Sequence, residues 1–363
     1  MLRAKLKPLS VGVYKIPTDR PESDGTLAWN STTLVLVQAS AAGETGLGYT
    51  YADEAAATLI AGKLAAEVAG RDAMDIPGCW AAMRHAIRNL GRPGICSLAI
   101  AAVDAALWDL KAKLLGLPLA RLLGAVRPSI PIYGSGGFTS YTVAELQQQL
   151  GGWAAAGFGA VKMKIGRDAR ADLERVRAAR DAIGPDCGLY VDANGAYDRQ
   201  QALAQAERFA EFGVSWFEEP VSSDDLDGLA WLRLRVPAGM QIAAGEYGYD
   251  LPYFRAMLAA KAVDVQQADA SRCAGISEFC RVEALCAAFQ VPLSAHTAPC
   301  LHLHPCCALE RARNIEFFHD HARIEAMLFD GAAQPREGAL WPDLSRPGLG
   351  LELKRRDAAR FAA

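Results

Sequence analysis

Three acidic residues stand at matching places in the second half of the chain. Asp192, Glu218 and Glu246 each follow or end a short apolar run, and they are 26 and 28 residues apart. Carboxylates that converge on one point repel each other unless a cation neutralises them. All-oxygen ligands favour Mg²⁺ over zinc, so the pattern predicts a Mg²⁺ site. Glu219 directly follows Glu218, and neighbouring strand residues point to opposite faces, so only one of the two can face the metal.

Two lysines interrupt the earlier apolar run at 160–164. Side chains alternate across a strand, so Lys162 and Lys164 share one face while Met163 points to the other. Partial burial and a neighbouring positive charge both disfavour the protonated form of a lysine. We therefore predict that one of these lysines can act as a base near neutral pH.

Asp269 and His296 end two further apolar runs and are 27 residues apart. A carboxylate beside an imidazole holds the ring in one tautomer and raises its basicity. The pair is therefore predicted to act as a base in the same site. Four other histidines do not stand at the end of a regularly spaced apolar run, and we expect them in loops or in supporting positions: His302, His304, His319 and His321.

These residues need a scaffold that brings the ends of strands together. Eight apolar runs recur at intervals of 20 to 29 residues, which one strand, one helix and two short loops consume. Eight such parallel strands, buried on both faces, predict the α/β fold class and a (β/α)8, or TIM, barrel. The active site of this fold lies at the C-terminal ends of the strands. The predicted strands are 130–135, 160–164, 188–191, 214–217, 240–245, 262–268, 291–295 and 314–318.

The chain before the barrel has a different pattern, typical of an α+β domain. A helix within it carries Asp104 and Trp108 on one face. The predicted strands are 9–16, 32–37 and 44–51, and the predicted helices are 55–70 and 100–115. The segment 17–30, between the first two strands, is polar and predicts a long loop. It is either a solvated connection or a lid over the barrel mouth.

These patterns divide the chain into two domains, because a barrel of about 250 residues leaves roughly a hundred over. We expect an α+β capping domain over 1–125 and a modified barrel over 126–336. A turn-rich tail, 337–363, contains a final short strand and is expected to return to the capping domain.

Composition limits the class of protein. The 363 residues are 51% hydrophobic, and a net charge of -3 with a pI near 6.1 gives no basic surface for nucleic acid or an anionic membrane. Nine cysteines, an odd number without a CxxC pair, predict reduced thiols. No signal-like or membrane-spanning apolar stretch is present in the sequence, and we expect a soluble cytoplasmic protein.

The motifs around these residues resemble those of a known family. Lys162-Met163-Lys164, Val191-Asp192-Ala193-Asn194, Phe217-Glu218-Glu219-Pro220 and Ala244-Gly245-Glu246 are followed by Asp269-Ala270-Ser271-Arg272 and Ser294-Ala295-His296. Because it has these motifs in this order, the chain is similar to the enolase superfamily and, within it, to the mandelate racemase subgroup. The similarity extends to the helix with Asp104 and to Leu122-Leu123-Gly124, so it spans nearly the whole chain.

The resemblance implies abstraction of the proton α to a carboxylate, with the enediolate stabilised by Mg²⁺. It selects Glu218 as the metal ligand of the Glu218–Glu219 pair. It implies that Lys164 and His296 are bases on opposite sides of the barrel mouth and that Lys162 neutralises the substrate carboxylate. Glu316, at the end of the eighth strand, would hydrogen-bond the enediolate. We further expect the substrate to be bound by Asn194, Ser135 and Arg272.

Several reactions are compatible with two opposed bases. We expect dehydration of an aldonic or aldaric acid sugar to a 2-keto-3-deoxy acid, with the histidinium protonating the departing hydroxyl. The alternatives are a racemase or epimerase that uses 1,1-proton transfer, and a cycloisomerase. A barrel that only binds an acidic ligand or a metal is a further alternative, which the complete set of site residues disfavours. The expected partner is a small-molecule carboxylate, and a homo-oligomer is expected.

Overall fold

The computed structural model describes residues 4–363. Its N-terminal part contains a three-stranded antiparallel sheet in the order β1–β2–β3. The strands are β1 (Ser10–Ser23), β2 (Ala28–Ala41) and β3 (Glu44–Tyr51). The three strands predicted for this region are therefore confirmed, although the first two are longer than predicted.

The segment 17–30 is not a loop, as the sequence predicted, but the tip of a long β-hairpin that we call the lid hairpin. Glu22 pairs with Trp29 and Ser23 with Ala28, beyond a bulge between Pro17 and Glu22. Only 24–27 forms the turn, where Oδ1 of Asp24 accepts hydrogen bonds from the amides of Thr26 and Leu27 at 2.6 and 2.7 Å. A two-stranded ribbon can be polar on both faces, and the prolines lie at its bulge, so the polar composition does not exclude strand.

Helices pack on one face of this sheet. The largest, α4, approaches the sheet where a Cβ on Gly48 would lie 2.3 Å from the carbonyl oxygen of Ala102, so only glycine fits there. The helices are α1 (Ala55–Leu59), which continues through a π-helical turn (Ile60–Leu64) into α2 (Ala65–Val68), then α3 (Ile76–Ala86), α4 (Ile95–Leu114) and α5 (Leu119–Leu123). Both predicted helical stretches are confirmed, and α3 is an addition to them.

Eight parallel strands then close into a barrel, because the last strand, β11, pairs with the first, β4. The strands are β4 (Ile130–Gly136), β5 (Ala160–Lys164), β6 (Gly188–Asp192), β7 (Val214–Glu218), β8 (Gln241–Ala244), β9 (Val265–Ala268), β10 (Leu293–Ala295) and β11 (Ala312–Phe318). All eight predicted strands are present, and the predicted α/β barrel fold is confirmed.

One helix follows each barrel strand. The helices are α6 (Val143–Ala155), α7 (Asp172–Ile183), α8 (Arg199–Ala210), α9 (Leu226–Arg233), α10 (Leu251–Ala259), α11 (Ile276–Phe289), α12 (Pro299–Ala308) and α13 (His319–Leu328). The nine cysteines are free, and all except Cys280 are buried. Across residues 4–363, we find no helix with the length and apolar character that crossing a membrane requires.

Large aromatic side chains fill the interior of the barrel below its C-terminal end. Tyr190 stacks on Trp216 with ring centroids 5.0 Å apart, and Tyr133 contacts both rings. Residues two positions further along a strand point to the same face. Asp192 and Glu218 therefore lie directly above Tyr190 and Trp216, so that a layer of charged groups covers a layer of aromatic ones.

The C-terminal tail contacts the N-terminal part of the chain. Its elements are β12 (Phe329–Asp330), β13 (Ala339–Leu340), β14 (Glu352–Leu353) and α14 (Arg355–Ala358). Buried Asp109 on α4 accepts hydrogen bonds from the amides of Leu47 and Leu349 at 2.7 and 2.6 Å. Gly348 has φ +72°, and a Cβ there would lie 2.0 Å from Oδ1 of Asp109. The contacts fit a tail that completes the capping domain, and the domain boundaries themselves stay a prediction.

The capping helix α4 is fixed to the barrel helix α11 through one serine. Both carboxylate oxygens of buried Asp104 accept hydrogen bonds from Ser277, from its hydroxyl at 2.6 Å and its amide at 2.9 Å. Nε1 of Trp108 also donates to the Ser277 hydroxyl, at 2.9 Å. Asp104 and Trp108 thus share one face, as predicted.

We expect the Asp104→Ala substitution to lower the free energy of unfolding by about 1–3 kcal/mol, because it leaves two buried donors unpaired. Burial raises the pKa of Asp104 to about 7, although hydrogen bonds from Ser277 oppose the shift. The folded protein therefore keeps a proton that the unfolded chain releases, and this contribution to stability decreases as pH rises from about 4 to about 7. Urea unfolding at pH values near 5 and 8 should show a smaller effect of the substitution at the higher pH. The exposed Glu54→Ala variant is the control and should unfold like the wild type.

Candidate active site

Strand pairing brings the predicted metal ligands together. Asp192 is paired with Glu218 across β6 and β7, and Glu246 follows β8, the next strand of the barrel. One carboxylate oxygen from each of the three lies within 4.8 Å of the others. All three side chains are buried. The three acids predicted from the sequence therefore form one cluster that could hold a metal ion.

Glu219 lies beside this cluster, and its ligand atoms are not part of it because the backbone changes direction. It has φ +36° and lines a neighbouring cavity of about 540 Å³. Glu218, in contrast, lies in the metal-ligand cluster, where its Oε2 accepts a hydrogen bond from Nε1 of Trp216 at 2.9 Å. The two adjacent glutamates thus face different spaces, as the alternation of strand residues predicts.

Both lysines of β5 point into the charged layer. Nζ of Lys164 lies 2.5 Å from Oδ2 of Asp192, its partner in the strand register. Nζ of Lys162 contacts Glu218, and it lies 2.8 Å from Oε1 of Glu316. Met163 faces the opposite way, into the apolar layer between strands and helices. The shared face predicted for the two lysines is confirmed.

The pKa of Lys164 differs from the sequence-based expectation. Burial, the largest effect, and Lys162 lower it, as expected, but Asp192, Glu246 and Glu316 together outweigh them, and the pKa is raised above the ordinary value of a lysine. The same holds for Lys162, because Glu218 and Glu316 outweigh the effect of burial. In this arrangement both lysines are therefore ammonium ions at neutral pH.

The charges of the site do not balance. Its buried carboxylates are Asp192, Glu218, Glu219, Glu246, Asp269 and Glu316, and its cationic groups are Lys162, Lys164, Arg272 and His296. Six acids against four cations leave two negative charges. Burial raises the pKa of Glu218 to about 8 and that of Glu219 well above its ordinary value, so these two groups retain protons. With all six acids ionised, the excess would equal the charge of one divalent cation, and three oxygen ligands suit a hard ion such as Mg²⁺.

His296 is held between carboxylates. Its Nδ1 lies 2.9 Å from Oδ2 of Asp269, and its Nε2 lies 3.2 Å from Oε2 of Glu246. Burial lowers the pKa of His296, but Glu246, Glu316 and the hydrogen bond with Asp269 outweigh burial and Arg272, and the pKa is raised to about 9. The imidazole is therefore protonated at neutral pH in this arrangement.

His302 supports this pair from helix α12. Its Nε2 accepts a hydrogen bond from the amide of Ala270 at 2.8 Å, and its Nδ1 lies 2.9 Å from the carbonyl oxygen of Thr297. The ring thus connects the residues that follow Asp269 and His296. Burial lowers its pKa, so it stays neutral and can donate and accept at once. The four histidines expected in loops or supporting positions lie in helices α12 and α13, and His302 has such a supporting position.

Glu316 and Ser135 lie side by side at the closure of the barrel. The Ser135 hydroxyl donates to Oε1 of Glu316 at 2.6 Å, and Oε2 of Glu316 accepts from the amide of Thr297 at 3.1 Å. Burial raises the pKa of Glu316, but Lys162 and His296 outweigh it and lower the pKa to about 2. Ser135 is fully buried behind Glu316, so its position favours a role in orienting that carboxylate over direct contact with a substrate.

A cavity of about 470 Å³ opens above these groups. Its wall includes Lys164, His296 and Glu316, together with the two predicted substrate-binding residues Asn194 and Arg272. Oδ1 of Asn194 is buried and has no hydrogen-bond partner among residues 4–363. The predicted bases therefore face one common space, with an unpaired polar atom beside them.

The capping domain supplies the other half of the wall, and sequence reasoning did not identify these residues. They are Asp24, Leu27, Trp29, Ser31, Thr32, Thr33, Tyr51, Ala52 and Asp53. From the barrel side, His321 also lines the cavity and stacks on Tyr51 with ring centroids 3.4 Å apart. The only signal in the sequence was the polar character of segment 17–30.

Comparison with known families gives two matches that together cover most of the chain. Residues 12–124 match the N-terminal domain of mandelate racemase / muconate lactonizing enzyme. Residues 144–358 match the enolase C-terminal domain-like family.

Two curated relatives have assigned reactions. The L-talarate/galactarate dehydratase of Salmonella typhimurium is 34% identical over 313 residues, which cover 85% of this chain and 77% of that protein. The 3,6-anhydro-alpha-L-galactonate cycloisomerase of Streptomyces coelicolor is 33% identical and covers 96% of this chain and 97% of that protein.

Solved structures agree over nearly the full length. A mandelate racemase/muconate lactonizing enzyme-like protein from Rubrobacter xylanophilus has a TM-score of 0.97 and 54% identity, covering 99% of this chain and 100% of that one. A racemase from Streptomyces coelicolor with bound magnesium has a TM-score of 0.93 and 32% identity, covering 99% and 100%.

We expect the Asp192→Asn substitution to weaken Mg²⁺ binding by more than about tenfold, because it removes one negative ligand and leaves an amide nitrogen beside Lys164. Isothermal titration calorimetry measures the change. Asp198→Asn is the matched control, since Asp198 caps helix α8 through the amide of Gln201 and an asparagine can do the same. Equal affinities of the Asp192→Asn variant and the wild type would contradict the assignment of the metal ligands.

Proposed function

Because the chain belongs to the mandelate racemase/muconate lactonizing enzyme family of the enolase superfamily, we propose that it dehydrates an aldonic or aldaric acid sugar to a 2-keto-3-deoxy acid. The observation that carries the proposal is the cavity into which Lys164 and His296 both project, next to three clustered carboxylates. The proposed cofactor is Mg²⁺, held by Asp192, Glu218 and Glu246. When bound, Mg²⁺ supplies positive charge that stabilises the second negative charge developing on the substrate carboxylate.

In the first step, Nζ of Lys164 takes the proton from the α-carbon of the substrate. The amine must be neutral for this, and Asp192 is the main group that opposes its neutral form. Asp192 and Glu246 would influence Lys164 less if they also held a metal ion. Burial and the neighbouring Lys162 would then dominate, and both lower its pKa.

Lys162 and Glu316 act on the substrate carboxylate as the α-proton leaves. Lys162 carries a positive charge between Glu218 and Glu316 and would balance part of the developing negative charge. Glu316, held by Ser135 and by the amide of Thr297, is expected to orient a carboxylate oxygen of the enediolate. Neither residue transfers a proton in these roles.

In the second step, Nε2 of His296 gives its proton to the hydroxyl on the β-carbon, which leaves as water. The bond between the β-carbon and that oxygen breaks, and a double bond forms between the α- and β-carbons. The resulting enol takes a proton at the β-carbon, loses the proton of its own hydroxyl group, and becomes the 2-keto-3-deoxy acid. The raised pKa of His296, about 9, supports this role, because the acid of this step must start protonated.

The chemistry of the cavity wall supports a polyhydroxylated substrate. Ser31, Thr32, Thr33 and Tyr51 contribute hydroxyl groups, and Asn194 contributes an unpaired amide oxygen. Arg272 adds a positive charge at the same wall, where it could pair with the second carboxylate of an aldaric acid. The dehydratase among the relatives acts, by its name, on talarate and galactarate. The homo-oligomer stays a prediction.

A cycloisomerase or a racemase is the second candidate. A relative that is similar over 96% of this chain is named as a cycloisomerase, and one similar structure is described as a racemase. Both reactions use the same pair of opposed proton-transfer groups. They differ from dehydration in whether a hydroxyl group leaves the β-carbon.

Proton NMR in D₂O tests these candidates directly. The Mg²⁺-loaded protein is incubated with a library of aldonic acids, aldaric acids and their lactones, and both the α-proton signal and new 2-keto acid signals are followed. Formation of a keto acid from one acid sugar supports the dehydratase. Deuterium uptake with appearance of the other stereoisomer indicates a racemase or epimerase, and consumption of a lactone or anhydro sugar alone indicates a cycloisomerase.

For a dehydratase, we expect the His296→Asn substitution to reduce formation of the 2-keto acid by about 10²–10⁴-fold, because no group protonates the departing hydroxyl. Slow exchange of the α-proton through Lys164 should persist and is visible as loss of the α-proton signal in D₂O. His85→Asn, an exposed histidine on α3, is the control. Unimpaired keto acid formation by the His296→Asn variant would contradict the proposed acid.

The Lys164→Met substitution should abolish α-proton exchange on one face of the substrate and leave any exchange at the His296 face. The reason is that the two groups approach the α-carbon from opposite sides. Stereospecifically deuterated substrate reports which face is lost, and Lys63→Met, on the surface of the capping domain, is the control. Continued exchange on both faces would show that another group is the base.

A further inference from the structure

A second group of metal-binding side chains lies outside the catalytic site. Asp19 and Glu22 are on strand β1 of the lid hairpin, and His319 is the first residue of helix α13, directly after barrel strand β11. One ligand atom from each lies within 4.8 Å of the other two. Nε2 of His319 and Oδ2 of Asp19 are 3.0 Å apart. The three residues therefore join the lid hairpin to the barrel.

Glu22 has an unpaired oxygen at this position. The residue is 1% exposed, and its Oε2 accepts a hydrogen bond from Nε1 of Trp29 at 2.8 Å. Its Oε1 is buried and makes no hydrogen bond to any group in the described chain, 4–363. A buried carboxylate oxygen without a donor is costly, so a ligand that accepts its lone pairs would stabilise the arrangement.

Nearby positive charge does not neutralise Glu22. Arg323 binds the carboxylate of Asp320 and also donates to the carbonyl oxygen of Pro17 at 2.7 Å. Burial, Asp320 and Asp19 together raise the pKa of Glu22 to about 8, although Trp29 and Arg323 oppose the shift. The local charge balance therefore favours an additional cation beside Glu22.

The ligand types point to a particular class of cation. One imidazole and two carboxylates are ligands that suit Zn²⁺, whereas the three carboxylates of the catalytic site suit Mg²⁺. The side chains of Asp19 and His319 are 41% and 24% exposed, so an ion can reach the site from solvent. Ligand atoms of tetrahedral zinc are about 3.4 Å apart, given bonds of about 2.1 Å. Nε2 of His319 and Oδ2 of Asp19, now joined by a hydrogen bond at 3.0 Å, are already close to this separation.

We propose that Asp19, Glu22 and His319 form a second divalent-cation site, of the zinc class, that fixes the lid hairpin to the barrel. The fourth ligand would be water, since three protein ligands leave one tetrahedral position open. Trp29, which donates to Glu22, lines the catalytic cavity. A cation bound at the second site would therefore order one wall of the catalytic cavity. The proposal does not depend on which reaction occurs in that cavity.

Co²⁺ is the probe, because its visible absorption reports tetrahedral coordination and it replaces Zn²⁺ in such sites. The protein is first saturated with Mg²⁺ in large excess, which occupies the catalytic carboxylates. We expect about one equivalent of Co²⁺ to bind with a tetrahedral spectrum. The Asp192→Asn variant should retain this spectrum, and the His319→Ala variant should lose it. His85→Ala is the matched control and should bind Co²⁺ like the wild type.

A second measurement does not depend on spectroscopy. With Mg²⁺ saturating, addition of Zn²⁺ should raise the melting temperature of the wild type, because the ion binds the folded state, and it should not raise that of Asp19→Asn or His319→Ala. Circular dichroism checks that these variants are folded. A Co²⁺ spectrum that persists unchanged in His319→Ala, or an absence of Co²⁺ and Zn²⁺ binding to the Mg²⁺-saturated wild type, would overturn the proposal. Loss of the spectrum in Asp192→Asn but not in His319→Ala would assign the ion to the catalytic cluster and overturn it as well.

Discussion

The structure depends on the repulsion among carboxylates that are buried at one end of the barrel. Six acids cannot all be ionised in this volume when only four cationic groups face them. Two glutamates therefore retain protons, and two lysines hold theirs more tightly than usual. If those two glutamates lost their protons, the excess negative charge would match one divalent ion. An excess of buried negative charge is unfavourable by itself, and it therefore favours binding of a cation. A bound cation would in turn attract an anionic substrate beside it.

The barrel controls this repulsion through its strand register and through the layer below the charges. Lys164 is paired with Asp192, and Asp192 with Glu218, so that the two neighbouring acids have a cationic group beside them in the register. Below them the stacked rings of Tyr190 and Trp216 exclude water and give a rigid base. Trp216 also donates to Glu218, which fixes the carboxylate in one orientation. A shift of one residue in any of these strands would exchange the charged layer for the apolar one.

Much of this architecture could be predicted from the sequence because it rests on local patterns. The eight apolar runs, their spacing and the residues at their ends were sufficient for the barrel, for the three clustered acids and for the pair Asp269 and His296. The raised pKa of Lys164 could not be predicted, because it depends on how close Asp192 lies in space. The supporting position of Ser135 likewise depends on the contact between the first and last strands, which are far apart in the chain.

For the capping half of the site, the sequence offered only one of two alternatives, a lid formed by segment 17–30, and it did not predict the structure of that lid. Segment 17–30 reads as a loop because polar residues and two prolines interrupt its pattern, yet cross-strand pairing beyond the bulge makes it a ribbon. A ribbon whose buried residues are themselves polar, such as Glu22 and Ser23, has no apolar alternation that could reveal it. The contact between His321 and Tyr51 arises only when the two domains pack together, and no property of either segment alone indicates it.

The C-terminal tail has a consequence for how the protein is made. Strand β1 pairs near Val13 and Tyr14 with residues 362 and 363, and Oδ1 of Asp109 accepts its hydrogen bond from Leu349 of the tail. The ribosome synthesises the first strand about 350 residues before these partners. The nascent N-terminal sheet must therefore remain incomplete while the whole barrel emerges, with buried acceptors such as Asp109 still exposed to water or to chaperones. Contacts between such distant segments slow folding, and the N-terminal sheet is completed only after the barrel has been synthesised.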